Sequence, residues 1–583
     1  MDSPLPASSK SLTEASPEDD SALLSTPMLR FSGFAVIVAV GALRLWVGRY
    51  SMNPDGMCYL DLGDAFFRRK WFDAVNGYWS PLYSWLLGAV LFVAKPSRLW
   101  EFPVAHAVNL FIYLAAFFCF EFFLRSMRED LRYEAGYDKG TGIWTLCEQS
   151  LFATGYALFL WSSLELITIW DFSPDLSVAA FVYLIAGLLL RIRHRSSFRL
   201  YIVLGVVLGF AYLTKAVMFP LGFAFILIGF FCVPRQKRLA FLLLVTSCFL
   251  AVSAPWLVAL SRAKGRFTFG DSGRLNYSAL VSPGGRVINW QGAPPGSGTP
   301  VHATRQLLKD PPLYEFATPV GGTYPPSFDP SYWNEGREWT FNLRSQLRVI
   351  KKHALMYAEL LLRSQAGLLA GALTLILAGG IATRAAMLDK WPLFAMCFVT
   401  MWLYSLVHAE TRFVGAYVVL FWLAILFSVR LASRETRRMA EYLVLAVVVT
   451  VLLSVADGTV HAVIAGGPYS ALDQVMVADD LGKMGLIAGD RVAVLGDGNW
   501  SYWARLGKLK IVSIIMSPDT QAFWAQTAEE KEKVYRLMGS TGARAVVSAA
   551  VPISDVWNGW KRIGVTDYYV RWLTPARPAP SGP

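Results

Sequence analysis

The sequence predicts a polytopic α-helical membrane protein with about eleven transmembrane helices, interfacial helices in its first outer loop, and a small extracytoplasmic α/β domain at its C-terminal end. Hydrophobic residues make up 55% of the 583 residues and charged residues only 16%, which is too apolar for a water-soluble protein of this length. Apolar segments long enough to cross a bilayer recur up to residue 457. Beyond that point, short strand-like and helical segments alternate, as is typical of an α/β unit.

Eleven segments meet the requirement of roughly 20 predominantly apolar residues for a bilayer-spanning helix. They lie near residues 31–49, 102–124, 144–163, 176–190, 200–216, 218–233, 239–259, 366–383, 391–408, 413–429 and 440–457. The apolar segment 81–94 is too short to span and suits an interfacial helix better.

The distribution of basic residues predicts the orientation. Residues 1–30 are rich in Ser, Pro, Asp and Glu, which indicates a disordered cytoplasmic tail before an uncleaved first span. If the first span runs outward, five short loops with Arg and Lys lie inside, as the positive-inside rule requires. We therefore expect a multi-pass protein of the inner (plasma) membrane, with a cytoplasmic N-terminus and an extracytoplasmic C-terminus.

This topology divides the chain into a transmembrane domain, residues 31–457, and a soluble extracytoplasmic α/β domain, residues 470–583. The transmembrane domain contains a first outer loop, 50–101, and a long outer loop, 260–365, whose Gly- and Pro-rich turns indicate a folded lid or substrate-binding loop. Strands are predicted near 491–495, 510–515, 543–548 and 568–572.

Composition argues against two other classes of site. The net charge of +12 is spread between hydrophobic segments and forms no single basic patch, so a nucleic-acid partner is not expected. The six cysteines show neither a CxxC pair nor the spacing of metal ligands. The sequence therefore predicts neither a disulfide framework nor a zinc site.

Three carboxylates follow the first span directly, at the expected membrane boundary: Asp55, Asp61 and Asp64. A helix starting near Met57 places Asp55 one turn from Tyr59, and Asp61 and Asp64 on a shared face. Two interpretations of Asp55 are open. It is either a functional carboxylate or an N-cap that stabilises the helix by about 1 kcal/mol.

Other ionisable residues are expected on the same outer face, at the ends of later spans: Asp171, Asp175, Lys215, His408, Glu410 and Arg412. Such residues mark a functional site when they face the interior of a bundle. The alternative is a structural role, in which the lysine snorkels to the membrane surface and each carboxylate only pairs with a neighbour in its loop.

Several short motifs, in their order along residues 30–430, resemble the GT-C glycosyltransferases, and the nearest branch is the protein O-mannosyltransferase and aminoarabinose-transferase type. These motifs are Arg44-Leu45, Pro54-Asp55 with Tyr59, the segment 78–83 (YWSPLY), Ser173-Pro174-Asp175, Leu213-Thr214-Lys215, and the segment 408–413. Gly56 differs from the family pattern, which often has Glu there, and the long outer loop and the C-terminal domain match no member known to us.

The resemblance implies a hexosyl- or pentosyltransferase that uses a polyprenyl phosphate sugar as its donor and transfers the sugar, by an inverting mechanism, on the extracytoplasmic face. The acceptor, whether glycan, lipid or protein, is left open. A phosphate leaving group needs no proton, so one carboxylate to activate the acceptor hydroxyl is sufficient, together with cations for the departing phosphate.

Each candidate residue then receives an expected role. Asp55 is the candidate base, and Lys215, Arg412 and His408 are candidates for phosphate binding. Tyr59, Tyr83 and Glu410 are further candidates for substrate binding. The resemblance also implies that Asp175 fixes the substrate or binds a divalent metal ion with Asp55.

Two other function classes also use many spans. A transporter or flippase for a lipid-linked glycan typically shows internal repeats and ionisable groups near the bilayer midplane. A non-catalytic glycan-binding envelope protein would use its C-terminal domain. The sequence shows no repeat and its charged groups cluster at one face, which favours the enzyme.

Overall fold

We describe a computed structural model of the chain over residues 25–137, 143–283, 305–316, 320–330, 339–467 and 470–574. Its core is a bundle of eleven helices, each overlapping one predicted span, so the predicted fold class is confirmed. Their bounds are Thr26–Val47, Arg98–Tyr137, Glu148–Trp161, Asp175–His194, Phe198–Thr214, Met218–Cys232, Arg238–Lys264, Ala366–Asp389, Trp391–Ser405, Thr411–Leu426 and Arg434–Ala465.

Six of the apolar helices are long and apolar enough to cross a membrane by themselves. The other five have 14 to 17 residues, and Glu148–Trp161 is extended by the π-helical turn Ser162–Leu166. The chain is therefore a multi-pass membrane protein.

The first outer loop consists of three helices, Pro54–Phe67, Trp71–Ala74 and Pro81–Ala94. The first and third cross where Gly63 meets Gly88. A Cβ atom on Gly63 would lie 2.7 Å from the carbonyl oxygen of Ser84, so a larger residue would separate the two backbones. This close crossing fixes the helix that carries Asp55.

One end of the bundle collects the predicted inner loops. Arg193 donates a hydrogen bond of 2.8 Å to the carbonyl oxygen of Asp389, which joins the ends of Asp175–His194 and Ala366–Asp389. Lys390 is fully buried there and pairs with Asp130 and Glu134. The basic loops therefore share one end of the bundle, as the predicted alternation requires.

The opposite end carries the C-terminal α/β domain, and we call it the domain-bearing end. The helices of this domain are Leu472–Lys483, Tyr502–Leu506, Thr520–Trp524, Ala528–Ser540 and Ile553–Val556. The long outer loop contributes Ser272–Leu280, Pro325–Phe328 and Leu343–Glu359.

A seven-stranded sheet joins the long outer loop to the C-terminal domain. Its strands are β1 (Arg305–Lys309), β2 (Pro312–Glu315), β3 (Arg491–Gly496), β4 (Lys510–Met516), β5 (Ala545–Ser548), β6 (Trp560–Arg562) and β7 (Tyr569–Trp572). Their order is β1-β2-β4-β3-β5-β7-β6, and β3 runs parallel to both β4 and β5. The four predicted strands are confirmed as β3, β4, β5 and β7, whereas β1 and β2 are an unexpected extension from the loop.

One buried arginine of the C-terminal domain connects it to the first outer loop. Arg505 Nη1 lies 2.7 Å from Asp61 Oδ1 and 2.8 Å from Asp64 Oδ2, and its Nε lies 3.0 Å from Glu101 Oε1. Asp61 also accepts a hydrogen bond of 3.1 Å from the hydroxyl of Thr323 in the long outer loop. Asp61 and Asp64 do share a face, and that face is the junction between the domains.

Candidate active site

A cavity of about 710 Å³ lies at the domain-bearing end, between the helix ends, both outer loops and the C-terminal domain. Seven of the eight predicted site residues line it. They are Asp55, Tyr59, Asp175, Lys215, His408, Glu410 and Arg412.

Asp55 enters the cavity from the first turn of the helix Pro54–Phe67. Pro54 occupies a first-turn position, where its fixed φ suits a helix start, and Asn53 holds the N-cap position. Asn53 Oδ1 accepts a hydrogen bond of 2.9 Å from the backbone N–H of Phe172. Because the cap position belongs to Asn53, the interpretation of Asp55 as an N-cap is wrong, and its carboxylate is available to the cavity.

Arg412 is the centre of the charged groups. It lies in the first turn of Thr411–Leu426, and its Nε is 2.6 Å from Glu410 Oε2. Its Nη2 is 3.4 Å from Asp55 Oδ2, and its Nε is 3.6 Å from Asp175 Oδ2. One guanidinium group therefore faces three carboxylates that come from three separate parts of the chain.

Lys215 supplies the second cation. It follows the last residue of Phe198–Thr214 in an extended conformation, and its Nζ lies 2.6 Å from Asp175 Oδ1. The same Nζ lies 3.4 Å from the centre of the Phe413 ring, which adds a cation–π contact. Asp175 is buried, and its second oxygen, Oδ2, forms no hydrogen bond with the described residues.

The surroundings shift the pKa values of Asp55 and Glu410 in opposite directions. Burial raises the pKa of Asp55, and the charge of Arg412 opposes that rise only in part. Burial also acts to raise the pKa of Glu410, but the hydrogen bond from His408 and the charge of Arg412 outweigh it and lower the pKa to about 2. Asp55 is therefore the more basic carboxylate, and Glu410 stays ionised beside Arg412.

His408 and Glu410 form a pair at the cavity wall. His408 Nε2 lies 2.8 Å from Glu410 Oε1. The segment that carries them is held from the side by His353, whose Nδ1 lies 3.0 Å from the carbonyl oxygen of Ser405 and whose Nε2 accepts a hydrogen bond of 3.3 Å from the N–H of Ala409. The loop that presents His408, Glu410 and Arg412 is thus fixed by the helix Leu343–Glu359.

The two predicted tyrosines differ in their access to the cavity. Tyr59 lines the cavity and packs edge-on against Trp79, with ring centres 5.0 Å apart. Tyr83 lies behind Tyr59 with no exposed surface, and its hydroxyl donates a hydrogen bond of 2.7 Å to Asn109. The expectation that Tyr83 contacts substrate is not met, because packing against Tyr59 and Asn109 holds it out of the cavity.

A divalent metal ion was expected to use Asp55 and Asp175. Arg412 lies between these two carboxylates and contacts both of them. Within the described ranges, no group of three or more His, Cys, Asp and Glu side chains is arranged to hold a metal ion. The metal site stays a prediction that rests on two carboxylates.

Sequence reasoning missed the residues that the α/β domain contributes. Asn499 and Trp500 line the cavity from the turn that follows β3, and Ser327 and Asn276 line it from the long outer loop. The carboxyl end of a parallel strand is a common position for ligand-binding residues, and this is the signal that points to Asn499 and Trp500.

The overall fold has a counterpart among solved structures, which agrees with the predicted fold class. In particular, it is similar to the solved structure of ArnT (aminoarabinose transferase) from Cupriavidus metallidurans in the apo state. The TM-score is 0.50 at 11% identity, over 94% of this chain and all of that chain.

Two further solved structures show weaker similarity. ArnT from Cupriavidus metallidurans bound to undecaprenyl phosphate gives a TM-score of 0.40 at 13% identity, over 95% of this chain and all of that chain. The Archaeoglobus fulgidus oligosaccharyltransferase, tethered with an acceptor peptide containing the NVT sequon, gives a TM-score of 0.44 at 12% identity, over 89% of this chain and 69% of that chain. No protein-family model and no curated protein matches the sequence.

Proposed function

We propose that the protein is a membrane glycosyltransferase that moves a hexosyl or pentosyl group from a polyprenyl phosphate donor to an acceptor hydroxyl on the extracytoplasmic face. One observation carries this proposal. Three carboxylates and two cations, which come from four separate segments of the chain, converge on a single cavity at the domain-bearing end of the bundle. Buried charges are costly, so such a cluster favours a functional site.

The cavity walls suit a lipid-linked phosphate. Beside Lys215, they include Val217, Pro220, Leu403 and Val407, which are apolar and come from the ends of the spanning helices. A phosphate held by Lys215 and Arg412 would therefore have apolar surface on its membrane side. Arg412 offers a planar pair of donors for phosphate oxygens, and Lys215 offers a compact charge.

The proposed reaction is a single displacement. Asp55 accepts the proton of the acceptor hydroxyl as the hydroxyl oxygen bonds to the anomeric carbon of the donor sugar. The bond between the anomeric carbon and the phosphate oxygen breaks, and polyprenyl phosphate leaves with the bonding electron pair. Lys215, Arg412 and His408 stabilise the negative charge that grows on the phosphate, and attack from the opposite side inverts the anomeric centre.

Sidedness follows from the alternation of basic loops. We propose that the loop end, with Arg193, Lys390 and their neighbours, faces the cytoplasm and that the cavity faces outward across the inner membrane. A reporter active only outside the cytoplasm should work when fused to the C-terminus, and a reporter active only in the cytoplasm should be silent. The reverse pattern would contradict this orientation.

The activity is tested with the full-length protein in lipid vesicles. Polyprenyl phosphate carrying a radiolabelled sugar is supplied together with a total envelope extract, and the label is followed. Transfer of label to a product without the polyprenyl chain supports the proposal. Label that crosses the vesicle membrane still attached to its lipid indicates a flippase. Label that stays bound to the protein without transfer indicates a binding protein. Either result would overturn the proposal.

The role of Asp55 is tested by Asp55→Asn, which keeps the shape of the side chain and removes the base. We expect turnover to fall roughly 10²- to 10⁴-fold while donor affinity changes little. Asp567→Asn is the matched control, since Asp567 has a side chain that is 93% exposed and lies outside the cavity. Near-normal turnover in a folded Asp55→Asn protein would transfer the role of the base to Asp175.

A further inference from the structure

The C-terminal domain does more than cover the cavity, because one of its turns forms part of the wall. Strand β3 ends at Gly496, and the turn after it places Asn499 and Trp500 in the cavity lining. Trp500 keeps 40% of its surface exposed in this position. An indole that is accessible at the rim of a cavity offers a flat apolar face to a ligand.

This turn is rigid. Asp497 accepts a hydrogen bond of 2.9 Å from the N–H of Asn499, and Ser501 donates one of 2.9 Å to the carbonyl oxygen of Asp497. Asn499 is also hydrogen-bonded to Ser327 of the long outer loop. Gly498 packs against Tyr324 so closely that a Cβ atom would lie 2.7 Å from that ring. The positions of Asn499 and Trp500 are therefore set by contacts on both sides.

The same turn is anchored next to the candidate base. Tyr502, the second residue after Trp500, donates a hydrogen bond of 3.2 Å to the carbonyl oxygen of Met52. Met52 precedes the helix that carries Asp55 by a single residue, Asn53. These contacts fix the position of the Trp500 indole relative to the Asp55 carboxylate across the junction of the two domains.

The chemistry of the cavity wall differs between its two sides. The cations, Lys215 and Arg412, come from the ends of spanning helices. The described lining residues from the α/β domain and from the long outer loop after Ser272 are instead uncharged, and among them Asn276, Ser327, Asn499 and Trp500 carry amide, hydroxyl or indole groups. Amides and hydroxyls beside an aromatic face suit a neutral ligand rich in hydroxyl groups.

We propose that the turn 497–501 is the acceptor-binding side of the cavity and that the acceptor is a carbohydrate, one of whose sugar rings stacks on Trp500. This inference rests on the proposed glycosyl transfer. The donor phosphate occupies the cationic side, so the acceptor approaches from the uncharged side, and Trp500 holds its ring so that one hydroxyl reaches Asp55. Trp500 is a specificity-determining residue in this scheme.

The test uses the full-length protein in vesicles, labelled donor, and the carbohydrate fraction of a cell envelope from which protein has been digested. Trp500→Ala should raise the KM for this fraction about tenfold and leave donor binding unchanged, because tenfold corresponds to about 1.4 kcal/mol, within the range of a lost aromatic contact. Trp500→Phe keeps an aromatic face and should stay within about threefold of the natural protein. Trp557→Ala is the control, since Trp557 is 87% exposed in the same domain and lies outside the cavity.

The outcomes separate this inference from the proposed function. If the natural protein transfers no label to any fraction, the proposed function fails. If it transfers label but Trp500→Ala keeps the natural KM for the acceptor, the stacking role of Trp500 is overturned. If label enters the protein fraction of an undigested envelope and the carbohydrate fraction is inert, the acceptor is a polypeptide and the assignment of a carbohydrate is wrong.

Discussion

Replacing Arg505 by Met should loosen the C-terminal domain from the first outer loop. Arg505 is 5% exposed and contacts Asp61, Asp64 and Glu101 at 2.7 to 3.0 Å. The methionine side chain keeps much of the length of arginine but removes the charge and every donor. Asp61 and Glu101, which are buried, would then lose the cation between them, and Asp64 would keep only its long, exposed pair with Arg68 at 4.0 Å.

The size of the effect follows from this arrangement. Removing one partner of a buried ion pair costs about 3–5 kcal/mol, because the remaining charge stays buried and uncompensated. Asp64 is only partly buried, so solvent and protonation relieve some of the repulsion at that side chain. We therefore expect the docking of the domain to weaken by about 3 kcal/mol, which raises the population of the undocked domain roughly 10²-fold.

Hydrogen exchange of the full-length protein in lipid nanodiscs measures this population. Amides of β3 and β4 next to the junction should exchange roughly 10²-fold faster in Arg505→Met than in the natural protein if exchange there proceeds through undocking. Arg562→Met is the control, because Arg562 forms an exposed pair with Asp567 and such pairs contribute about 0–1 kcal/mol. Unchanged protection in a folded Arg505→Met protein would show that the junction does not depend on the buried charge.

Three further predictions concern the cavity. Lys215→Ala and Arg412→Ala should each weaken donor binding and slow transfer together, as measured by equilibrium binding of labelled donor and by turnover, because a phosphate is bound in the ground state and gains charge as it leaves. Arg412→Gln should also move the acid limb of the pH–rate profile to higher pH. The base must be unprotonated, and the charge of Arg412 lowers the pKa of Asp55, so loss of that charge raises this pKa further. His353→Phe should lower kcat about tenfold with the KM for donor little changed, because it removes the two hydrogen bonds by which His353 holds the loop before Glu410. Recovery of kcat in His353→Gln would separate this positioning role from packing.

Local spacing predicted correctly which side chains of the helix Pro54–Phe67 share a face. Residues in a helix advance about 100° each, so Asp55 and Tyr59, one turn apart, face the same way, and so do Asp61 and Asp64. Asp55 and Asp61 differ by six residues and therefore point in different directions. The structure follows this geometry, since Asp55 and Tyr59 line the cavity while Asp61 and Asp64 bind Arg505.

The residues and strands that make contacts across long sequence separations could not be predicted from local spacing. Arg505 lies 444 positions after Asp61, and nothing in its local sequence marks it as buried. The strands β1 and β2 are five and four residues long and pair with each other, and only β2 pairs with β4, about 200 residues later. Such short segments gave no signal of a sheet. Apolar spans are different, because the bilayer sets their length and composition locally, and all eleven were predicted.

In the proposed reaction, the contacts of Arg412 would connect donor binding to the basicity of Asp55. Arg412 faces Asp55, Glu410 and Asp175, and its charge opposes the rise in the pKa of Asp55. A donor phosphate that engages the same guanidinium adds negative charge close to Asp55 and takes over part of its counter-charge. Both changes raise the pKa of Asp55, so the carboxylate becomes a stronger base when the donor is in place. In the proposed reaction, the acceptor hydroxyl would then be activated chiefly in the complex that already holds the sugar to be transferred.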